Sequence, residues 1–279
     1  ENQVRPFLVY FPFYSVHTPL MAREDLKLKY QKKRAGLTQT DVFADEPPRK
    51  VRMTQDHAVY AGMVEAMDQA VGKVLKSLDD YGLTNDTLVI FTSDNGGLST
   101  SEGSPTSNQP LRAGKGWLYE GGIRTASIVR WPGHVTADTT SDVPIASIDY
   151  LPTVLDACGL KPEPDRPMDG VSILSFVTRP EAGLDRPLFW HYPHYGNQGG
   201  APGAAILRDG WKLIEWFEDD RIELFHLATD ESERSNVAGT EAARVRSMRD
   251  ELHTWQEQVG AIRPTVNPAF DASKEDGRK

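Results

Sequence analysis

Leu88–Gly97 reads LVIFTSDNGG. Residues of apolar or β-branched character, Leu88 to Thr92, run without a break into a carboxylate, an amide and two glycines. The run has the length and composition of a buried strand. In an open α/β sheet, ligands bind outside the carboxyl ends of the strands, and Asp94 and Asn95 stand at such an end. Both offer hard oxygen atoms, suited to Ca2+ or Mg2+ and poorly suited to Zn2+. Gly96 and Gly97 would let backbone and ligand approach closely. The plain alternative is a tight turn, because Asp, Asn and Gly dominate turns.

Upstream, Val59, Met63, Met67, Val71, Val74 and Leu78 recur at three- and four-residue spacing, which predicts a long helix. Thr54 is its expected N-cap and Gly82 its C′ residue. Phe7–Phe13, FLVYFPF, reads as a further buried strand, continuous in apolar character as in a parallel sheet covered on both faces. Residues 31–56, charged and proline-containing, read as an exposed excursion. Strand, helix, strand is the rhythm of an α/β layered fold.

Downstream, a Ser/Gly/Asn-rich loop runs to about Asn108 and leads into PLRAGKGWLYEGGIRT; loops this long are often functional. ASIVRWPG reads as a buried strand. IDYLPTVLDACGL reads as a helix with Asp149 near its start and Gly159 at its end. Residues 161–186 are a linker candidate. AAILRDGWKLIEWFEDDRIELFHL then predicts two or three antiparallel strands turning at RDG and EDD, and residues 241–259 a terminal helix. The expected division is an α/β part over 1–176, a small α+β subdomain over 187–265, and a disordered tail over 266–279.

The chain has 279 residues and a net charge of −9. That balance argues against non-specific nucleic-acid binding, so an anionic ligand would need a local cationic site. The lone cysteine, Cys158, excludes an internal disulfide and reads as a buried structural thiol. No apolar run approaches the ~20 residues of a membrane-spanning helix, and no signal peptide is recognisable.

Two cationic candidates join Asp94 and Asn95. His17 lies in YSVHTPL, just past the expected strand, and Lys115 lies in AGKGWLYEGG between two glycines. Lys115 does not fit a phosphate-binding P-loop, since no Ser or Thr follows it. Taken singly, His17 reads as a hydrogen-bonded structural histidine and Lys115 as a solvated loop residue. Together the four would supply a hard-metal site and two cationic donors for a tetrahedral oxyanion. His191 and His194, in HYPHY, lack the further ligands zinc needs. They read either as a substrate-side wall or as a packed aromatic strand end. Glu120 and Arg124 read as a supporting ion pair, His57 as part of a helix start and His226 as a strand-surface residue.

The chain resembles the sulfatase family of the alkaline-phosphatase-like superfamily. The resemblance is carried by FLVYFPFYSVHTPL, by YAGMVEAMDQAVGKVLKSLDDYGLTNDTLVIFTSDNGG, by PLRAGKGWLYEGGIRTASIVRWPG, by DYLPTVLDACGL and by MDGVSILSF. These cover about residues 6–176 in the family's order and spacing; the later LFWHYPHYGNQGGAPGAAILRDGWKLIEWFEDDRIELFHLATD looks like the C-terminal part of bacterial arylsulfatase-type enzymes. The resemblance implies a mixed sheet sandwiched by helices and a sulfuric ester hydrolase. It implies Ca2+ (Mg2+ as the alternative ion) on Asp94 and Asn95, with Lys115 and His17 contacting the sulfate or its leaving oxygen. A sulfated small molecule or sulfated glycan would be the substrate, and export to the periplasm or beyond the family habit. The family's nucleophile is a formylglycine made within C/S-x-P-S-R. That pentapeptide is missing here, as are the paired aspartates and the Lys and His that accompany it. The expectation is therefore a C-terminal portion of a sulfatase, inactive alone. A phosphomonoester or phosphonate-ester hydrolase, or a non-catalytic sulfated-glycan binding module, are the alternatives.

Overall fold

The computed structural model describes residues 5–38, 41–179, 183–265 and 267–269. Most of the tail expected to be disordered, residues 266–279, lies outside them. In chain order the elements are α1 (Glu24–Ala35), β1 (Phe43–Glu46), β2 (Arg49–Arg52), α2 (Ala58–Asp80), β3 (Val89–Thr92), α3 (Glu120–Ile123), β4 (Ser127–Arg130), α4 (Tyr150–Ala157), α5 (Leu174–Thr178), β5 (Leu188–Tyr192), β6 (Gly203–Arg208), β7 (Trp211–Trp216), β8 (Ile222–His226) and α6 (Ala242–Gln258). They fall into two compact units, residues 1–41 with 55–83, and residues 42–54 with 84–279.

The first unit is a helix pair. The apolar spacing in α2 gives it one buried stripe around Met63, and Gly62 lets α1 come close: a Cβ there would lie 3.4 Å from the Cβ of Leu26. The N-cap is His57 rather than Thr54; its Nδ1 accepts from Tyr60 N at 3.2 Å. At the other end Gly82 has φ +67°, and the amides of Gly82 and Leu83 close on the carbonyls of Asp79 (3.0 Å) and Leu78 (2.8 Å), the glycine-terminated helix end that DDYGL predicts. Phe7–Phe13 is not a strand. It belongs to no strand pair among the described residues, with Leu8 77% and Tyr10 87% exposed. Apolar continuity specifies a strand only where a neighbour takes the backbone hydrogen bonds.

The second unit centres on a four-stranded antiparallel sheet in the order β5-β6-β7-β8. Tight turns at Asp209–Gly210 and Asp219–Asp220, with Asp209, Gly210 and Asp220 at positive φ, join β6 to β7 and β7 to β8, where RDG and EDD predict them. Strand alternation gives the sheet two apolar faces. One, with Ala204, Ile206, Leu213 and Leu224, receives Met248 and Leu252 of α6. The other, with Ala205, Ile214, Trp216 and Phe225, receives Trp117, Leu118 and Tyr119 of the glycine-rich loop. β3 pairs with β4 in an antiparallel two-stranded sheet whose residues are only partly buried, Ile128 being 58% exposed. The α/β class stands, but every strand pair among the described residues is antiparallel.

Two further expectations are corrected. The charged stretch 31–56 contains the end of α1 and the β1–β2 hairpin, and the hairpin buries Glu46, Val51 and Arg52. Its charges are taken inside because each is paired: Glu46 with Arg112 (2.7 Å) and Arg234 (3.1 Å), Arg52 with Ser104 O (3.1 Å). Cys158 is exposed, because it is the C-cap residue of α4 rather than part of its packed face.

α6 is also held by charge. Glu215, 1% exposed on β7, meets Arg249 (3.1 Å) and His253 (2.6 Å) of α6, and Arg263 (3.1 Å) beyond it. Burial opposes its ionisation, but His253, Arg263 and Arg249 outweigh burial and hold the carboxyl below its usual range. The ionised carboxylate therefore contributes stability at pH above that range, and the contribution is lost as pH falls through the lowered value. Glu215→Gln should lower stability at pH 7 by about 1.5–3 kcal/mol, the worth of hydrogen bonds to charged groups. Its thermal midpoint should also fall less than that of the unmodified chain on acidification. Melts from pH 7 down through the carboxylate range check both; parallel curves would refute the assignment.

Candidate functional site

The glycines of SDNGG and GKGWLYEGG serve one purpose: they press main chain against main chain. A Cβ on Gly96 would stand 1.8 Å from Gly121 O, one on Gly114 2.4 Å from Gly97 O, and one on Gly122 2.1 Å from Trp117 O. At such contacts only glycine fits. Gly96 N donates to Gly122 O (2.9 Å) and Lys115 N to Gly97 O (3.1 Å). Asn108 completes the join. Its Oδ1 accepts from Gly97 N (2.9 Å), and its Nδ2 donates to Gly97 O (2.8 Å) and Ala113 O (2.9 Å). Of the two approaches that Gly96 and Gly97 would allow, backbone and ligand, the structure shows the backbone one at Gly96, which faces Gly121 and Gly122, while Gly97 faces the side chains of Thr106 and Asn108.

This packing puts Asp94, Asn95 and the backbone of Lys115 into one loop cluster beyond the carboxyl end of β3. The turn is tied back by Ser93, whose carbonyl accepts from Thr125 Oγ1 (3.3 Å), and by Thr92, whose Oγ1 accepts from Tyr150 OH (3.0 Å). Asp94 is exposed and takes one long bond, from Ser93 Oγ at 3.4 Å. The side-chain amide of Asn95 makes no hydrogen bond to a described residue. Two adjacent hard oxygens with little else to bind fit a Ca2+ or Mg2+ shell chemically. They do not complete one: no group of three or more His, Cys, Asp or Glu side chains is gathered for a metal among the described residues. Lys115 is partly buried.

His17 belongs to the helix unit and is exposed there. Its Nδ1 lies 2.8 Å from Thr18 O and its ring 5.7 Å from that of Tyr14. A carbonyl can only accept, so Nδ1 carries a proton, which fixes the ring's orientation. His191 and His194 part company. His191 points to the α6 side, with Nε2 2.9 Å from Ile262 O and Nδ1 3.1 Å from Gln256 Nε2. The carbonyl takes Nε2–H and the amide reaches Nδ1, so both ring nitrogens are spent on structure. His194 is exposed and lies over Tyr192 with ring centroids 4.1 Å apart.

What holds the cluster was only partly among the sequence candidates: Glu120 was read as one half of a supporting ion pair, but its buried partners were not. Lys212 of β7 is fully buried, with Nζ 3.0 Å from Glu120 Oε1 and 2.9 Å from Glu233 Oε1. Glu233 Oε2 in turn accepts from Glu120 N (2.6 Å), and Glu233 O from Arg112 Nη1 (3.0 Å). Arg112 lies over the ring of Tyr119, 3.8 Å from its centroid, and Tyr119 OH donates to Glu223 at 2.8 Å. Burial and the Glu223 carboxylate raise the Tyr119 phenol well above its usual value, so it stays a neutral donor. Burial likewise pushes the Glu233 carboxyl above its usual range, against the pull of Lys212. Arg124 reaches Glu120 at only 3.9 Å and is the outlying partner of that pair. The sequence held one signal: Lys212, Ile214 and Trp216 alternate on one face of a strand, which places a lysine where an apolar residue belongs.

Lys212→Ala would leave Glu120 and Glu233 facing each other without their cation. Breaking a buried pair in this way costs about 3–5 kcal/mol. The expected outcome in chemical denaturation is a loss of that size, much of it regained on adding Glu120→Gln and Glu233→Gln together. A Lys212→Ala chain as stable as the parent would refute the network's role.

Residues 1–160 match the family model described as Sulfatase, and residues 113–259 match that of the C-terminal region of N-sulphoglucosamine sulphohydrolase. The chain is 35% identical over 275 residues to a protein of Formosa agariphila named Sulfatase, an alignment covering 90% of this chain and 46% of that one. It is 34% identical over 181 residues to the N-acetylgalactosamine-6-sulfatase of Mus musculus, covering 64% of this chain and 33% of that one. Among solved structures, Ps i-CgsB superposes with a TM-score of 0.72 at 28% identity, covering 87% of this chain and 48% of that one. A further crystal structure holds Ps i-CgsB in complex with k-i-k-neocarrahexaose. The chain thus spans less than half the length of these relatives.

Proposed function

The chain belongs to the sulfatase family, and from that we propose that it supplies part of the metal- and sulfate-binding site of a sulfuric ester hydrolase. The supporting observation is the shared loop cluster, in which glycine contacts clamp the Asp94–Asn95 turn to the Lys115 loop. Family chemistry adds a formylglycine nucleophile and a divalent cation that neutralises sulfate oxygens. Asp94 and Asn95 would ligate that cation, Ca2+ or alternatively Mg2+, as two members of a shell of six to eight oxygens. Lys115 would place an ammonium against the oxygen on which charge grows as the S–O bond breaks. His17, with Nδ1–H engaged by Thr18 O, would serve as the proton donor to the leaving oxygen through Nε2 only as the doubly protonated imidazolium. The reading assigns residues 1–176 to the catalytic domain and 187–265 to a C-terminal subdomain. The substrate is a sulfated small molecule or glycan, and an exported location follows family habit; no helix among the described residues is long and apolar enough to cross a membrane.

A chain without C/S-x-P-S-R has no nucleophile for this mechanism. The 279-residue chain alone should therefore show no turnover of 4-nitrophenyl sulfate. In a sulfatase that contains this chain together with the nucleophile motif, Lys115→Ala should lower kcat by ~10²–10³, the usual cost of one charge-stabilising donor, with little change in KM. A folded Lys115→Ala enzyme with near-normal kcat would remove Lys115 from the site.

Calcium gives a second test, read without turnover. Two protein oxygens fall far short of a full shell. Calorimetric titration of the chain should show weak Ca2+ binding that Asp94→Ala removes. Tight binding, or binding indifferent to Asp94→Ala, would contradict the assignment.

A further inference from the structure

The loop Pro193–Gly200, PHYGNQGG, adjoins the Lys115 loop, and its backbone is fixed from several sides. Trp117 Nε1 donates to Gln198 O (3.0 Å) and Arg49 Nη2 to Asn197 O (2.9 Å). Asn197 Nδ2 donates to Glu102 Oε1 (2.9 Å). Gly199 N closes on Gly196 O (3.0 Å) and Gly196 N on Gly200 O (3.2 Å). Main chain again meets main chain: a Cβ on Gly200 would stand 1.8 Å from Gly116 O, and one on Gly199 2.8 Å from the Trp117 ring.

The side chain of Gln198 lies over the residue that follows Lys115. A Cβ built on Gly116 would be 2.8 Å from Gln198 Oε1, and one on Gly196 2.9 Å from it. Gln198 is partly buried, yet its side-chain amide makes no hydrogen bond to a described residue. A partly desolvated amide without a partner, on an immobilised backbone, is costly to the protein alone and ready for a ligand. An amide offers two donors and an acceptor, the complement of a hydroxyl, which offers both roles. An aryl or sterol body carries no such group and would leave the amide unpaired, which is how a polar site rejects an apolar competitor. Exposed His194, lying over Tyr192, extends the same polar and aromatic rim.

We propose that Gln198 is a specificity-determining residue of the Lys115 site: its amide reads a hydroxyl of the sugar that carries the sulfate, so the site prefers a carbohydrate sulfate to an apolar sulfate ester. The proposal rests on the sulfate-site reading of Lys115, and its test separates the two. Amide chemical shifts of the full chain are followed by NMR during titration with inorganic sulfate, galactose 6-sulfate and 4-nitrophenyl sulfate. All three should move the amides of Gly114, Lys115 and Gly116; galactose 6-sulfate should bind most tightly and also move Gln198 and Gly199. Gln198→Ala should weaken galactose 6-sulfate about three- to tenfold, the worth of one neutral hydrogen bond, and leave inorganic sulfate and 4-nitrophenyl sulfate within twofold. Gln198→Asn, which keeps the amide but shortens its reach, should fall between. Galactose 6-sulfate binding within twofold of the parent in Gln198→Ala overturns the proposal, as does equal weakening of all three probes. No shift at Gly114–Gly116 with inorganic sulfate overturns the sulfate-site reading and the proposal with it.

Discussion

One lysine ammonium, removed from water and held between two carboxylates, sets the position of the loop cluster. Lys212 grips Glu120, the first residue of α3, while Glu233 takes both the Glu120 amide and the lysine. The glycines that follow Glu120 carry the restraint onward, because Gly122 O receives Gly96 N and Gly121 O leaves no room for anything larger than hydrogen on Gly96. Asp94 and Asn95 are therefore located, through a short path of ionic and main-chain contacts, by a strand far along the chain. A buried ion pair contributes little net stability once desolvation is counted, but it tolerates few alternative geometries. Stability comes instead from the two apolar faces of the sheet, one under α6 and one under the Trp117–Tyr119 segment.

The local pieces of this arrangement were legible in the sequence. The period of α2, its Gly82 end, the turns at RDG and EDD and the terminal helix each follow from short-range chemistry, and each stands where it was read. The end of β3 was legible for the same reason, since a strand that stops on Ser-Asp-Asn-Gly-Gly advertises its end. The fate of the glycines was not legible. A glycine that admits a ligand and one that admits a neighbouring main chain are identical in one dimension; only the proximity of residues 96, 114, 121 and 122 separates them.

The misses share one cause. Composition marked residues 31–56 as exposed because they are charged, yet the β1–β2 hairpin buries Glu46 and Arg52 against partners some 50 to 190 positions away in sequence. Lys212 escaped notice although strand alternation put it on the inward face. His191 and His194, which the sequence leaves open between a substrate-side wall and a packed strand end, fall on opposite faces because three residues separate them in an extended chain: one packs against α6, one lies beside Tyr192. Phe7–Phe13 was read as a strand from its side chains, while a strand is defined by what its backbone meets. In each case the deciding partner lies beyond the reach of a local pattern.

The contact between Gly200 and Gly116 bears on how such a site can diverge. Main chain that rests on main chain is indifferent to what the intervening residues are. Positions 194 and 198 lie on a frame fixed largely by the glycines around them, by the Trp117 ring and by Asn197, which donates to Glu102. The polar surface those positions display can therefore be rewritten one residue at a time while the loop keeps its path. The same scaffold can thus present a different polar surface by point substitution, with no insertion and no refolding of the loop that carries Lys115.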